Sequence, residues 1–167
     1  MIDIGTVNRY LHEGPTKDRI DRIQTMGRRL AARVDAVFNL IGRRAAQFES
    51  PDGTTYHALI HNEADDETDY LVVHPVGVHD RSFEAMRIEG EWAINYIDPD
   101  VYEGMLVGIG DVVMEYVNDS YKSFILRNEG VEPEPLDQDE MDLDAFSIEM
   151  SHRKIALSHQ GNMRLAF

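Results

Sequence analysis

The sequence predicts an α+β fold from three observations. Within residues 16–48, apolar side chains recur at intervals of three and four from Ile20 to Ile41, with Gly27 in one place, which is typical of a helix. Residues 54–97 are rich in β-branched and aromatic residues between turn-forming ones. Asp98-Pro99-Asp100 is a helix start signal, followed by recurring apolar residues. We therefore expect a long N-terminal amphipathic helix, central antiparallel strands, a second long helix, and C-terminal strands or an extended tail.

The length of 167 residues fits one domain with extended arms. We predict an N-terminal arm at residues 1–15, a single α+β core at 16–128 and an acidic loop at 129–144. Residues 145–167 then form a C-terminal β or extended segment. This segment either completes the core or docks on a neighbouring molecule.

Basic residues are concentrated in the predicted first helix. Residues 16–48 hold eight of the 16 Lys and Arg residues and only three acids, although the chain has a net charge of −15. If this segment is helical throughout, it spans about 50 Å, which exceeds the diameter of roughly 40 Å expected for the domain. Gly42 is a candidate early C-cap, and Ser50-Pro51-Asp52-Gly53 must end the helix.

The central strands are predicted from residue type and turn signals. The last two form a hairpin around Gly90 and place Trp92, Ile94 and Tyr96 on one face. Pro75 marks an edge or a bulge. The predicted strands are Thr54–His61, Tyr70–Val78, Phe83–Glu89 and Glu91–Ile97.

Three glycines complicate the second helix. Gly104, Gly108 and Gly110 each cost up to about 1 kcal/mol relative to alanine. We expect a break near Gly110-Asp111, and the alternative is a hairpin that turns at Gly110. The spacing of the glycines fits close helix packing better than it fits a nucleotide-binding loop.

The C-terminal part of the chain begins with acids and ends with apolar residues. Residues 129–144 contain eight acids and no base, which is typical of an exposed loop. Beyond it, alternating triplets beginning at Phe146, Ile155 and Met163 favour strands. The competing prediction is a helix from Asp144 to about His159 with an extended tail.

Composition restricts the function. The chain has no cysteine, so it has no disulfide and no thiolate metal site. No apolar run approaches the roughly 20 residues of a membrane helix, and no signal peptide is recognisable. We therefore expect an intracellular or virion protein with no membrane partner. The net negative charge argues against specific nucleic-acid binding and leaves only passive contact with DNA.

The histidines are weak candidates for chemistry. His57 and His61 lie in a predicted strand, which separates them by about 13 Å, too far to share one metal ion. His74 and His79 flank Pro75 and are more typical of turn residues. We therefore predict no catalytic, metal or cofactor site.

The arginine face of the first helix has three possible roles. It can be a solvated surface, it can dock on acidic surface of the same fold or of a sister subunit, or it can contact nucleic acid. Because the rest of the chain is so acidic, neutralisation within or between subunits needs no outside ligand. The apolar C-terminus also needs something to cover it. The predicted interface residues are Arg28, Arg29, Arg33, Arg43, Arg44, Met163, Leu165 and Phe167.

A long helix, a small β region and a C-terminal tail together resemble the head–tail connector (adaptor) proteins of tailed bacteriophages. The resemblance is one of organisation and assigns no site residue. It implies a ring on the portal and a C-terminal tail that docks on a neighbour. The leading hypothesis is therefore a non-enzymatic assembly subunit. Copies of it form a homo-oligomeric ring, and the ring contacts other structural proteins of the same assembly.

Two alternatives come from other classes of protein. The chain can be an acidic inhibitor of a nucleic-acid enzyme, in which the acidic runs at 63–69 and 129–144 mimic phosphates. It can also be a small His-dependent enzyme or a metal or ligand binder that uses His57, His61, His74 or His79.

Overall fold

The computed structural model describes residues 16–62 and 68–153, which form helices and one antiparallel sheet. The predicted α+β class is therefore confirmed. The helices are α1 (Thr16–Ile41), α2 (Tyr102–Glu129) and α3 (Leu143–Arg153), with a 3-10 helix at Gln138–Glu140. The strands are β1 (Ala45–Glu49), β2 (Thr55–Asn62), β3 (Asp69–Pro75), β4 (Phe83–Ile88) and β5 (Glu91–Ile97).

The sheet is a meander in which each strand pairs antiparallel with the next along the chain. The predicted β4–β5 hairpin is confirmed, with Ile88 opposite Glu91. Glu89 and Gly90 at its tip both have positive φ angles, 52° and 83°, which matches the twist that a two-residue hairpin loop requires. This register sets which β4 and β5 side chains are neighbours at the end of the sheet.

One face of the sheet is covered by α1 and α2, and side chains on this face are buried in strict alternation along β2. Along the opposite face, the strand residues other than Tyr96 are half-buried or exposed. Trp92 and Ile94 lie in the core, as the hairpin pattern predicted. The prediction that Tyr96 shares their face is wrong, because a register shift between Glu84 and Ala85 places Tyr96 opposite Glu84. The largest fully buried side chains are those of Tyr56, Phe83, Leu30, Leu71, Ile97, Met105, Ile109 and Met150.

The first helix is shorter than its maximum predicted length. It ends at Ile41 because Gly42 adopts a left-handed conformation (φ 66°), and its N–H donates to Phe38 O at 2.9 Å. Of the two predicted helix ends, the early C-cap at Gly42 is therefore confirmed, and continuation to residue 48 is wrong. Residues 45–49 form β1 instead, where Phe48 stacks on Tyr56 of β2 at 5.5 Å between ring centres.

The second helix starts later than predicted and is unbroken. Asp98-Pro99-Asp100 forms a turn ahead of it, and neither the break near Gly110 nor the alternative hairpin occurs. Gly108 and Gly110 lie at close contacts, although Gly108 packs against a strand rather than against a helix as the spacing predicted. A Cβ on Gly108 would lie 2.5 Å from Glu49 O of β1, and one on Gly110 would lie 3.2 Å from Arg33 Nη1.

Helices α1 and α2 run parallel with a large offset. Arg33 Nη1 donates to Leu106 O at 3.0 Å, and further along both helices Ile41 and Tyr116 line one cavity. The first turns of α1 therefore extend beyond the start of α2. At the opposite end, α2 continues past Val117, its last buried residue.

Residues 143–153 form a helix, which is the alternative that the sequence left open, rather than a strand. Leu143, Phe146 and Met150 are buried on one side, as helical spacing requires, whereas Ile148 is 51% exposed. The preceding acidic segment runs back along α2, where Asn118 Oδ1 accepts from Leu136 N at 2.6 Å. The later apolar triplets lie outside the described residues.

Candidate functional site: an arginine-lined cleft and an acidic groove

A cleft of about 910 Å³ opens between α1, α3 and the ends of the strands nearest the β4–β5 turn. Its apolar lining includes Phe38, Ile60 and Trp92, each less than a tenth exposed. The volume lies within the range of roughly 300–1,000 Å³ that is typical of small-molecule sites. The charged residues that line it are Arg28, Asp35, Arg43, Arg44, Asp69, Arg87 and Glu91.

The sheet register brings the central residues of the cleft together. Arg87 of β4 lies opposite both Asp69 of β3 and Trp92 of β5. These three side chains share the face that buries Leu71, because side chains alternate along each strand. Asp35 approaches the same point from α1 and is only 5% exposed.

Arg87 is held on several sides. Its Nη2 lies 3.3 Å from Asp69 Oδ2, and its Nη1 lies 3.7 Å from Asp35 Oδ2. Its guanidinium carbon lies 4.4 Å from the centre of the Trp92 ring, within cation–π distance. Trp92 Nε1 donates to the same Asp35 oxygen at 2.7 Å. Buried charge is costly unless it is paired, so these contacts fix the guanidinium in place.

Asp69 is the second anchor of this network. Its Oδ1 accepts from Arg44 Nη2 at 3.0 Å and from Asn62 Nδ2 at 3.2 Å. Burial raises the pKa of Asp69, but the hydrogen bonds from Asn62 and Arg44 and the charge of Arg87 outweigh it, so the pKa lies below its ordinary value. The carboxylate is therefore ionised and engaged at both oxygens.

The predicted interface arginines divide into two groups. Arg28, Arg43 and Arg44 line the cleft, where Arg28 Nε donates to Trp92 O at 3.0 Å. Arg29 and Arg33 instead bind Asp144 of α3, at 3.0 and 2.8 Å. Contacts of these side chains with a second copy stay a prediction. The other predicted interface residues, Met163, Leu165 and Phe167, lie outside the described residues.

A smaller cavity of about 430 Å³ lies between the acidic segment and α3, and we call it the acidic groove. No basic residue lines it. The side-chain amide of Asn118 supports one wall by binding both backbone polar groups of Leu136, at 2.6 and 3.4 Å. The apolar lining residues are Leu136, Met141, Ala145 and Phe146, and the acidic ones are Asp137, Glu140, Asp142 and Glu149.

The four candidate histidines line neither the cleft nor the acidic groove, although His57 lines a third cavity together with Arg43. His57 and His74 are neighbours across β2 and β3, with ring centres 5.4 Å apart. His61 stacks on Tyr70, and His79 is exposed between β3 and β4. In residues 16–62 and 68–153, no three histidine or acidic side chains are grouped in a way that could hold a metal ion.

Sequence reasoning did not single out Asp35, Asp69 or Arg87. The predicted hairpin places Arg87 and Trp92 on neighbouring strands, but its turn at Gly90 did not determine the register that pairs them. Asp35 also carries a signal, since it is an acid within the apolar stretch from Val34 to Phe38 of an otherwise amphipathic helix. The position of Asp69 depends on strand register, which the sequence alone left undetermined.

No protein-family model matches this chain, and neither a curated protein nor a solved structure matches it. Within the described part of the chain, none of the helices combines the length and apolar character needed to cross a membrane.

Proposed function

We propose that this chain is a non-enzymatic structural subunit that assembles into a homo-oligomeric ring. The connector proteins of tailed bacteriophages, which the sequence resembles in organisation, are the class that we propose for it, with a place in the virion. One observation carries the proposal: two complementary surfaces lie at different places on the same subunit. Contacts between unlike surfaces of identical subunits generate closed rings when the rotation between subunits allows closure.

The first surface is the basic end, which we define as residues 17–29 of α1. Five basic and two acidic residues lie there, and all seven are exposed. Ile20 is also 40% exposed. The basic end therefore offers both positive charge and apolar surface.

The second surface is the acidic groove. Its four carboxylates surround an apolar floor, and none of its lining residues is basic. An α-helix is about 10 Å across with its side chains, so one apolar side chain of the basic end can enter the groove while its arginines meet the rim. Burial of the apolar side chain would supply affinity, and the charges would supply orientation and a faster association rate.

Sedimentation velocity over a range of protein concentrations and salt concentrations tests this proposal. We expect a species larger than the 19.1 kDa chain that dissociates as salt rises, because exposed charges are screened. A chain that stays monomeric under all of these conditions overturns the proposal.

Charge reversal locates the contact. Glu140→Lys together with Glu149→Lys should weaken assembly about tenfold or more, and adding Arg19→Glu and Arg22→Glu to the same chain should restore it. Asp80→Lys reverses an exposed acid in the β3–β4 loop and serves as the matched control. Equal weakening by the control, or no rescue by the swap, would place the contact elsewhere.

A further inference from the structure

We propose that the arginine-lined cleft binds a small organic anion, in which a carboxylate or phosphate group is attached to an apolar body. This function goes beyond assembly through the basic end and the acidic groove, and the cleft shares only Arg28 with the basic end. It rests on three features of the cleft: the charge left over after internal pairing, the donors still open on its arginines, and its apolar lining.

The two inner carboxylates are already neutralised. Both oxygens of Asp69 bind cationic or amide donors, and Asp35 binds Trp92 and lies beside Arg87. These acids therefore hold Arg87 and Arg44 in place and attract no additional cation. In the described part of the chain, Arg43 and Arg28 line the same cleft without an ion-pair partner. Glu91 is the only other acid in the lining, so the mouth of the cleft is positive.

Arg44 is suited to bind an oxyanion. Asp69 fixes it through one terminal nitrogen, while 61% of the Arg44 side chain is exposed. A guanidinium group has five N–H donors in a fixed plane, so most of its donors remain open to a ligand. Paired donors of this geometry match the oxygens of a carboxylate or a phosphate.

The opposite part of the lining is apolar. Phe38, Ile60 and the Trp92 ring are buried at the floor, and Ala32 and Ile148 stand nearer the mouth. Inorganic phosphate would use the arginines and leave this surface in contact with water. An anion with an aromatic or aliphatic body would use both, and binding strength grows with the apolar area removed from water.

The cleft has the size of a small-molecule site and is lined on three sides, by α1, α3 and the strand ends. Its volume of about 910 Å³ is much greater than that of the acidic groove, at about 430 Å³. A molecule with one anionic group and a compact body can be surrounded there on most of its surface, as small-molecule sites usually require.

Trp92 provides a direct measurement, since it is the only tryptophan in the chain and it lines the cleft. Its fluorescence is followed as the full chain is titrated separately with phenyl phosphate, phenylacetate, inorganic phosphate and neutral benzyl alcohol. We expect a saturable fluorescence change with one or both aromatic anions. Their dissociation constants should be at least about tenfold lower than those of inorganic phosphate and benzyl alcohol, a difference of about 1.4 kcal/mol in binding free energy. The two aromatic anions distinguish a phosphate ligand from a carboxylate ligand.

Substitution of the exposed arginines tests the site. Arg43→Gln with Arg44→Gln should weaken the binding of the tighter anion about tenfold or more, because charge-assisted hydrogen bonds are lost. Arg127→Gln, in the last turn of α2 and outside the cleft lining, should leave it unchanged. Circular dichroism and sedimentation of the double variant, both expected to match those of the unmodified chain, show that fold and assembly persist.

Three results overturn the proposal. The first is no saturable response to either aromatic anion, and the second is equal binding by the double variant. The third is a fluorescence response to a synthetic peptide of residues 129–142 but to none of the small molecules. That result would make the cleft a docking surface for the acidic segment of another copy. Sedimentation is measured on the same samples of the double variant. If the variant loses anion binding but still assembles, the anion site and the proposed assembly function are shown to be independent.

Discussion

The guanidinium carbon of Arg87 lies 4.4 Å from the centre of the Trp92 ring, directly across the β4–β5 pair. Asp35 binds both partners, so a helix, two strands and a buried charge meet at one point. Replacing Arg87 with Met keeps most of the packing but removes the positive charge that lies 3.7 Å from Asp35 Oδ2. We expect a loss of about 2–4 kcal/mol in the free energy of unfolding, at or below the range for a fully buried pair because a quarter of the Arg87 side chain is exposed. Urea unfolding followed by circular dichroism measures this loss.

A double-mutant cycle isolates the interaction. Asp35→Asn still offers an oxygen to Trp92 and removes the charge, so it should recover part of the Arg87→Met loss when the two are combined. We expect a coupling energy of about 1 kcal/mol or more. Simple addition of the two losses would show that Arg87 stabilises the fold through packing alone.

The lowered pKa of Asp69 predicts a pH-dependent contribution to stability. A carboxyl group with a folded-state pKa below its unfolded value of about 3.9 stabilises the fold fully above that value, and the stabilisation disappears as pH falls through the folded pKa. Asp69→Asn should therefore cost about 1–2 kcal/mol near neutral pH, and this difference from the unmodified chain should shrink below about pH 4. Urea unfolding of both chains across this range measures it. A difference that is independent of pH would contradict the assignment.

The packing of α2 against β1 predicts unequal effects of two similar substitutions. Gly108→Ala places a Cβ 2.5 Å from the backbone oxygen of Glu49, which cannot rotate away. We expect a loss of about 1–3 kcal/mol, despite the gain in helix propensity. Gly104→Ala meets only Ser50 Cβ at 3.3 Å and should be close to neutral. Thermal unfolding of the two variants compares them, and equal melting temperatures would refute the close approach.

Asn118 predicts a local effect on the acidic segment. Asn118→Leu removes both hydrogen bonds to the Leu136 backbone, so amide exchange at Leu136 should accelerate while the exchange of core amides stays unchanged. Asn128→Leu is the matched control, because its side chain binds only Phe124 O within α2 among its described contacts. If the proposed function holds, Asn118→Leu should also weaken assembly, since it loosens a wall of the acidic groove.

Elements with strong local signals were predictable from the sequence, and those that depend on distant contacts were not. The β4–β5 hairpin follows from short-range patterns and is confirmed, and so is close packing at Gly108, although its partner is a strand. The continuous α2 was missed because helix propensity treats every glycine as destabilising. The close contact with β1 requires Gly108, since any larger residue would bring a Cβ against Glu49 O. Residues 45–49 were missed because Gly42 and Ser50-Pro51-Asp52-Gly53 were both possible helix ends, and the sequence alone did not choose between them.

The candidate sites show the same division. The sequence identified the arginines and the acidic segment, which are visible as composition. It did not reveal that Arg28, Arg43 and Arg44 face one cleft while Arg29 and Arg33 bind Asp144, because α3 reaches α1 from more than a hundred residues away along the chain. Sites assembled by such distant contacts leave little local pattern in a single sequence.

The order of the elements has a consequence for synthesis on the ribosome. The strands can pair one after another as they emerge, since each neighbour in the sheet is the next in the chain. Helix α1 is made first, but Gln24 meets Ile94 of β5 at a separation of 70 residues, and Arg33 meets Asp144 at 111. The apolar side chains of α1 therefore stay unpacked through most of translation, when chaperones and neighbouring nascent chains can bind them. Helix α1 contacts the sheet and α3 in the folded chain, yet among the described elements it stays unpacked for longest during synthesis.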